Sequence, residues 1–262
     1  MILLCDVGNT HTHLGLANRN RVTNQVNIPT AKCFSGSLTK SIESFLDGAD
    51  LEGAALCSVV PRLTPQVCRA IKTRYSVDCL ELTAKTAVGI GIEYPKPKSI
   101  GPDRLANAIA VKHHFGAPAI VVDFGTAVTF DVVNQHGNYI GGIIAPGLAA
   151  MTDYLHEKTA LLPRIKIREV SQVVGKSTKQ AMLIGTVHGY RGLVSELIAE
   201  LRRELRTRRL PVVATGGYAK LIASKLPGIT AVEPLLTLEG LRLAWQASRF
   251  NTANAAGEIS TL

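Results

Sequence analysis

Two stretches of the chain repeat one pattern of apolar and polar positions. Residues 3–5 and 120–122 are continuous apolar runs, each leading into Asp-x-Gly: Asp6-Val7-Gly8 in the first and Asp123-Phe124-Gly125 in the second. Runs of this kind predict short strands buried on both faces. Past the glycines, Thr12, Leu14 and Leu16 alternate with His13, Gly15 and Ala17, and Val128, Phe130 and Val132 with Thr129, Asp131 and Val133. That alternation predicts a second strand in each copy. Asn18-Arg19-Asn20 and residues 134–138 supply turn residues, so each copy reads as a hairpin extending into a meander, with Asp-x-Gly at the corner.

The remaining pattern alternates strands and helices. Strands are expected at 54–60 and 77–82, with a helix between them capped by Thr64 and carrying Pro65 at its first position; a helix at 105–114 is closed by Gly116. After the second copy come a strand near 139–144, helices near 148–155, 177–188 and 189–207, a strand at 212–214, and helices at 218–225 and 238–249. Residues 251–262 are small and polar and read as a frayed tail. No linker rich in Pro, Gly and Ser separates the copies. The symmetry of the repeat places the boundary near Gly116, giving halves 1–115 and 116–262.

Composition narrows the class. With 262 residues, 46% hydrophobic and 19% charged, the chain belongs among globular proteins with room for one large core or two smaller ones. No apolar stretch is long enough to span a bilayer and no basic leader precedes residue 6, so a cytoplasmic protein without a membrane partner is expected. Cys5, Cys33, Cys57, Cys68 and Cys79 are odd in number and contain no C-x-x-C pair; buried free thiols are expected. The net charge of +9 suits either nucleic acid or an anionic small substrate. Its densest cluster, Arg202, Arg203, Arg206, Arg208 and Arg209, ends a segment in which Leu193, Val194, Leu197, Ile198, Leu201 and Leu205 recur at helical spacing. Cations there complement the helix dipole. No aromatics interleave them, so no nucleic-acid partner is expected.

The corners themselves suit phosphate. Gly8 and Gly125 let backbone N–H groups approach an anion, and Asn9, Thr10 and Thr126 add side-chain donors. Asp6 and Asp123 would repel phosphate unless a cation intervenes, and Mg²⁺ is commonly held by one or two carboxylates plus phosphate oxygens. Between the copies, Ile100-Gly101-Pro102-Asp103-Arg104 opens a helix. Asp103 there is either a favourable first-turn charge or the acceptor of a substrate hydroxyl proton, with Arg104 gripping a polar or anionic group. Residues 141–147 (GGIIAPG) are either tight packing and a turn or a ligand loop. Residues 214–217 (ATGG) are either a tight strand-to-helix connection or a nucleotide loop.

The ordered series D6-V-G-N-T10, G101-P-D-R104, D123-F-G-T-A-V-T129, G141-G-I-I-A-P-G147 and A214-T-G-G217 resembles type III pantothenate kinase, of the acetate kinase, sugar kinase, Hsp70 and actin superfamily. The resemblance covers nearly the whole chain. It implies an α/β fold of duplicated ribonuclease H-like (actin-like ATPase) domains with a nucleotide cleft between them, and ATP-dependent phosphorylation of pantothenate to 4'-phosphopantothenate, the first step of coenzyme A biosynthesis. By position, Asp6, Val7, Gly8, Asn9, Thr10, His11, Thr12 and His13 form the first ATP loop, with Asp6 on the Mg²⁺ side. Gly125 and Thr126 are the second ATP contact, and Gly216 and Gly217 lie near adenosine. Asp103 is the proton acceptor, and Tyr94, Gly101, Pro102, Asp103, Arg104 and Thr178 meet pantothenate. Asp123 binds a monovalent cation, K⁺ or NH₄⁺. The resemblance also implies a homodimer in which Thr178 serves the partner's site. Pro102 stands where the family usually has Ala, and Phe124 where a smaller residue is usual; Pro is compatible with a first turn, and Phe124 is expected to face the core. The alternatives are a non-catalytic ATP-binding regulator on the same scaffold and a kinase for another small hydroxylated acid.

Overall fold

The computed structural model describes residues 1–34, 38–207 and 210–259. The chain forms two compact units, one made of Met1–His114, Gly137–Ile140 and Leu235–Leu262, the other of Phe115–His136 and Gly141–Pro234.

The first unit is built on a five-stranded sheet. β1 (Ile2–Val7), β2 (His11–Ala17) and β3 (Val22–Pro29) are followed by the single-turn α1 (Thr30–Lys32), α2 (Leu38–Leu46), β4 (Gly53–Ser58), α3 (Thr64–Tyr75) and β5 (Cys79–Glu81). The sheet order is β3-β2-β1-β4-β5, with β1, β2 and β3 antiparallel and β1, β4 and β5 parallel. The hairpin expected at the first Asp-x-Gly is present. The turn after it is also present: Asn18 Oδ1 accepts from the Asn20 and Arg21 amides at 2.8 and 2.9 Å. Leu3, Cys5, Val7 and Leu14 share a core with α2 and α3, as fully buried β1 requires. Helix α3 begins one residue earlier than its sequence suggests, with Leu63 as cap and Thr64 as its first residue.

The chain continues through β6 (Gly91–Ile92), a 3₁₀ turn Pro97–Ser99, and α4 (Pro102–Phe115). The core of α4 is buried from Leu105 to Val111, and Gly116 at φ +82° ends the helix.

The second unit repeats the first. β7 (Ala119–Phe124), β8 (Ala127–Val133), β9 (Asn138–Pro146), α5 (Leu148–Lys158), α6 (Thr178–Glu204), β10 (Val212–Thr215), α7 (Ala219–Ala223) and β11 (Ala231–Val232) follow. The order β11-β10-β7-β8-β9, extended at β9 by β6, reads β9-β8-β7-β10-β11 in reverse. That is the order of the first sheet strand for strand, so the duplicated ribonuclease H-like architecture is borne out. Ile120, Val122, Phe124, Val128 and Phe130 share a core with Tyr190, Val194 and Ile198 of α6; Phe124 faces inward as expected, its ring 6.4 Å from that of Tyr190.

Two expectations are corrected. The helices read as 177–188 and 189–207 are one helix, α6, capped by Ser177; Gly189 costs an interior helix only about 1 kcal/mol, which long tertiary packing overrides. Of the tail read as frayed over 251–262, residues 251–259 continue α8 (Leu236–Ile259), and 260–262 lie outside the described residues. At the end of α6, Arg202 Nη2 donates to Gly228 O at 2.9 Å and Arg203 pairs with Glu196 and Glu200; Arg208 and Arg209 lie outside the described residues.

Helix α8 packs in the first unit rather than with the second half of the sequence. Leu238 lies against Gly15, the Trp245 ring covers Gly53, and Gly240 meets the backbone of Ala106 in α4. Glu239 and Arg242, both largely buried, pair at 2.7 Å; Glu239 Oε1 accepts from the Val22 amide at 2.9 Å, and Arg242 Nη1 donates to Arg19 O at 2.6 Å. These bonds tie α8 to the β2–β3 turn and satisfy a buried pair that would otherwise be costly.

Candidate active site

In the first unit the Asp-x-Gly corner rests on a rigid base. Gly8 N donates to His11 O at 3.0 Å, closing the turn. Beneath it Thr30 Oγ1 donates to Gly8 O at 2.7 Å and meets Thr12 Oγ1 at 2.9 Å, while Cys33 Sγ donates to Thr12 Oγ1 at 3.6 Å. Asn9, Thr10 and His11 are left exposed. Thr12 is turned into the core and Val7 is buried. Asp6, half-buried, sits next to last in β1, in register with His13 on β2 and Cys57 on β4. His13 Nδ1 is 3.6 Å from Asp6 Oδ2, outside hydrogen-bond range. Burial, then the neighbouring His11, lowers its pKa, so the imidazole is neutral near pH 7 and the contact is not an ion pair there.

The start of α4 forms the second element. Pro102, with no N–H to leave unsatisfied, opens the helix, and the Arg104 and Leu105 amides donate to Gly101 O at 3.1 and 3.3 Å. Asp103 Oδ1 accepts from the Arg104 amide at 2.9 Å. Burial raises the Asp103 pKa above the usual carboxylate value, outweighing the opposing effects of the Arg104 amide and guanidinium. Gly101 provides the space: a Cβ there would collide with Asp103 Oδ1.

Arg104 is held over an aromatic base. Its Cζ lies 5.8 Å from the centre of the Tyr139 ring, and Tyr94 packs edge-on to Tyr139 at 6.2 Å. Tyr139 is buried and Tyr94 is 37% exposed. Pairing of Gly91 with Asn138 and Ile92 with Tyr139 sets this stack in place. The family resemblance marked Tyr94 but passed over Tyr139, Thr30 and Cys57. All three look like ordinary strand or turn positions, and nothing in their spacing separates them from core residues.

The second unit reproduces the corner. Asp123 is next to last in β7, in register with Thr129 on β8 and Thr215 on β10. Gly125 and Thr126 are exposed. Gly147 packs so closely on them that a Cβ would lie 2.7 Å from Gly125 O, so at its end the 141–147 segment is tight packing beneath the loop. Gly216 has φ +89°, and a Cβ there would lie 2.5 Å from Asp123 Oδ1; only glycine suits both constraints. Gly217 is exposed, and α7 beyond it is just five residues long. Thr178, the first residue of α6, is exposed.

The first unit thus gathers Asp6, the Gly8 loop and Cys57, with Asp103 near enough for its charge to act on the thiol: burial, then Asp6 and Asp103, push the Cys57 pKa well above its usual value. The second gathers Asp123, Gly125, Thr126 and Gly216. Among the described residues no three His, Cys, Asp or Glu side chains cluster as a metal site. A carboxylate beside an exposed loop that carries Asn9, Thr10 and His11 fits Mg²⁺ carried on phosphate oxygens, the usual mode for that ion. Among the described residues no helix is long and apolar enough to cross a membrane.

The chain is similar to known proteins over most of its length. The family model described as type III pantothenate kinase matches residues 2–200. A protein of that name from Methylacidiphilum infernorum is 44% identical over 92% of this chain and 87% of its own length. Another, from Akkermansia muciniphila, is 46% identical over 92% of this chain and 97% of its own. Among solved structures, a Baf family protein from Campylobacter jejuni superposes with a TM-score of 0.59 at 18% identity, covering 93% of this chain and 97% of that one, which shows a shared fold.

Proposed function

This chain belongs to the type III pantothenate kinase family and phosphorylates pantothenate with ATP, opening coenzyme A biosynthesis, and we propose that Asp103 is the group that accepts the proton of the attacking hydroxyl. The observation that carries the assignment is the first turn of α4, where a desolvated carboxylate stands beside a braced arginine. As the hydroxyl oxygen bonds to the γ-phosphorus and the bond to ADP breaks, the proton passes to Asp103. An aspartate is a weak base, but phosphoryl transfer requires the proton to move only as the new bond forms. Arg104, with its orientation limited by Tyr139, holds the acid substrate together with Tyr94 and the Gly101-Pro102 backbone.

The loop after Gly8, with the donors of Asn9, Thr10 and His11, binds ATP phosphate; Gly125 and Thr126 are the second ATP contact, and Gly216 and Gly217 receive adenosine. Asp6 would hold Mg²⁺ and Asp123 a potassium or ammonium ion, each supplying positive charge to phosphate oxygens. A homodimer, with Thr178 serving the partner's site, is supported by the exposed apolar side chains Ile144, Tyr154, Leu161, Val173 and Val174 on the second unit. Five free thiols fit a reducing, cytoplasmic setting.

The direct test follows ADP release with pantothenate and a panel of other hydroxylated acids, in potassium and then in sodium buffer. A signal that depends on pantothenate is expected, and it should be larger in potassium. Release with no acceptor dependence would overturn the assignment of substrate. Asp123→Asn should abolish the difference between the two buffers while leaving the melting temperature near that of the parent; an unchanged potassium response would move the cation site elsewhere.

Gly101→Ala tests the space around the base. The added methyl collides with the flexible end of Asp103, so the carboxylate rotates while the helix stays in place. A fall in kcat of about 10²-fold, as displacements near 1 Å commonly cause, should accompany a nearly unchanged melting curve. Full activity would show that Asp103 need not occupy its present rotamer.

A further inference from the structure

The Asp6 corner contains a group with no role in the reading above. Cys57 is fully buried in β4, in register with Asp6, and its thiol donates to Asp6 Oδ1 at 3.3 Å. In the second unit the residue in the same relation to Asp123 is Thr215, also buried. Both Asp-x-Gly corners therefore carry a side chain with a donatable proton on the neighbouring parallel strand. The preceding residues of β4, Gly53, Ala54, Ala55 and Leu56, offer no side-chain donor. Cys57 is the donor in register with the carboxylate; Ser58, the next residue, donates instead to Val60 O at 3.3 Å.

We infer that Cys57 is a positioning residue for phosphoryl transfer: its thiol, donating to Asp6 Oδ1, helps hold the carboxylate in the orientation that serves the magnesium–nucleotide. The inference rests on the reading of Asp6 as the Mg²⁺-side carboxylate. Rotation about the last bond of an aspartate is broad, so each hydrogen bond accepted by a carboxylate at a loop edge narrows its orientation. A donor inside a dry strand interface provides it, since hydrogen bonds to ionised acceptors are stronger than neutral ones. An uncharged donor also leaves the carboxylate's full negative charge for the cation, which a lysine would cancel. His13, on the other oxygen, lies beyond hydrogen-bond range.

The test measures binding without turnover. Enzyme free of pantothenate is titrated calorimetrically with the non-hydrolysable analogue AMP-PNP, with and without Mg²⁺. Cys57→Ala should weaken the Mg²⁺-dependent part of binding about 10- to 100-fold, the usual effect of losing a partner of a metal-binding side chain. Cys57→Ser retains a donor and should stay within about threefold of the parent, too little to count as loss of that partner. If Cys57→Ala does not fold, Cys57→Val, apolar and without a donor, takes its place. Equal weakening by Ala and Ser, or parent-like binding by the donor-free variant, would reduce Cys57 to packing. Asp6→Asn separates the two levels. If it leaves Mg²⁺-dependent binding intact, the role of Asp6 fails and the inference falls with it; if it weakens binding while the donor-free Cys57 variant does not, only the inference fails.

Discussion

Asp103→Asn is expected to lower kcat for pantothenate by about 10²- to 10⁴-fold, the range associated with loss of a general base, while the protein stays folded and is at least as stable as the parent. The two halves of this result have one origin. Burial raises the pKa of Asp103, so the folded state disfavours the ionised form that catalysis uses. A carboxyl with a raised folded-state pKa contributes stability that is present below its unfolded value and lost as pH rises through the folded value. At neutral pH the charge therefore weighs against folding, and asparagine, which keeps an oxygen for the Arg104 amide, removes that burden. Activity runs in the opposite direction: it should fall as pH drops through the raised pKa, at a higher pH than an exposed aspartate would give. Steady-state rates and thermal melts at several pH values check both. A variant that keeps more than about a tenth of parental kcat would remove Asp103 from the role of base, since even a weak general base contributes more than that.

Gly240→Ala is expected to destabilise the protein by about 3 kcal/mol, the upper part of the range for overpacking, lowering the melting temperature by roughly 6–12 °C for a chain of this size. The reason lies in what the new methyl would meet. At Gly240 a Cβ runs into the backbone oxygen of Ala106 in α4, and a helix backbone cannot swing aside as a side chain can. The two helices must separate, loosening the buried face of α4 and the adjacent bond between Thr237 Oγ1 and Asn107 Oδ1, 2.8 Å long. Because α4 presents Asp103, activity should decline along with stability. The same substitution at Gly185, where a Cβ in α6 meets nothing within 4 Å, should be neutral or stabilising by up to about 1 kcal/mol. Denaturant melts of the pair separate close packing from helix propensity. Equal effects would show that α8 does not need glycine at this crossing.

The hairpins at both Asp-x-Gly motifs were legible because strands buried on both faces leave an unbroken apolar run, and because turn residues end it. Phe124 and Pro102 were placed correctly on the same local grounds: alternation along a strand in one case, a missing N–H in the other. The break expected at Gly189 was not found, since one glycine weakens a helix by less than the packing of Tyr190, Val194 and Ile198 returns. The end of the chain misled for a related reason. Residues 251–259 lack an apolar stripe, yet they continue a helix already anchored by Leu238, Leu241 and Trp245.

By itself the sequence determined the repeated strand-turn-strand pattern, the helix start that carries Asp103 and Arg104, and, through the order of its motifs, the family. Each of these depends on neighbours within a few residues, where backbone geometry and side-chain chemistry act locally. Tertiary structure alone decided that α8 joins the first unit, that Tyr139 lies under Arg104, and that Cys57 faces Asp6. These pairings join residues 35 to more than 200 positions apart, such as Arg104 with Tyr139 and Val22 with Glu239. Strand register and helix crossing bring such partners together, and neither is written into the spacing of any one segment.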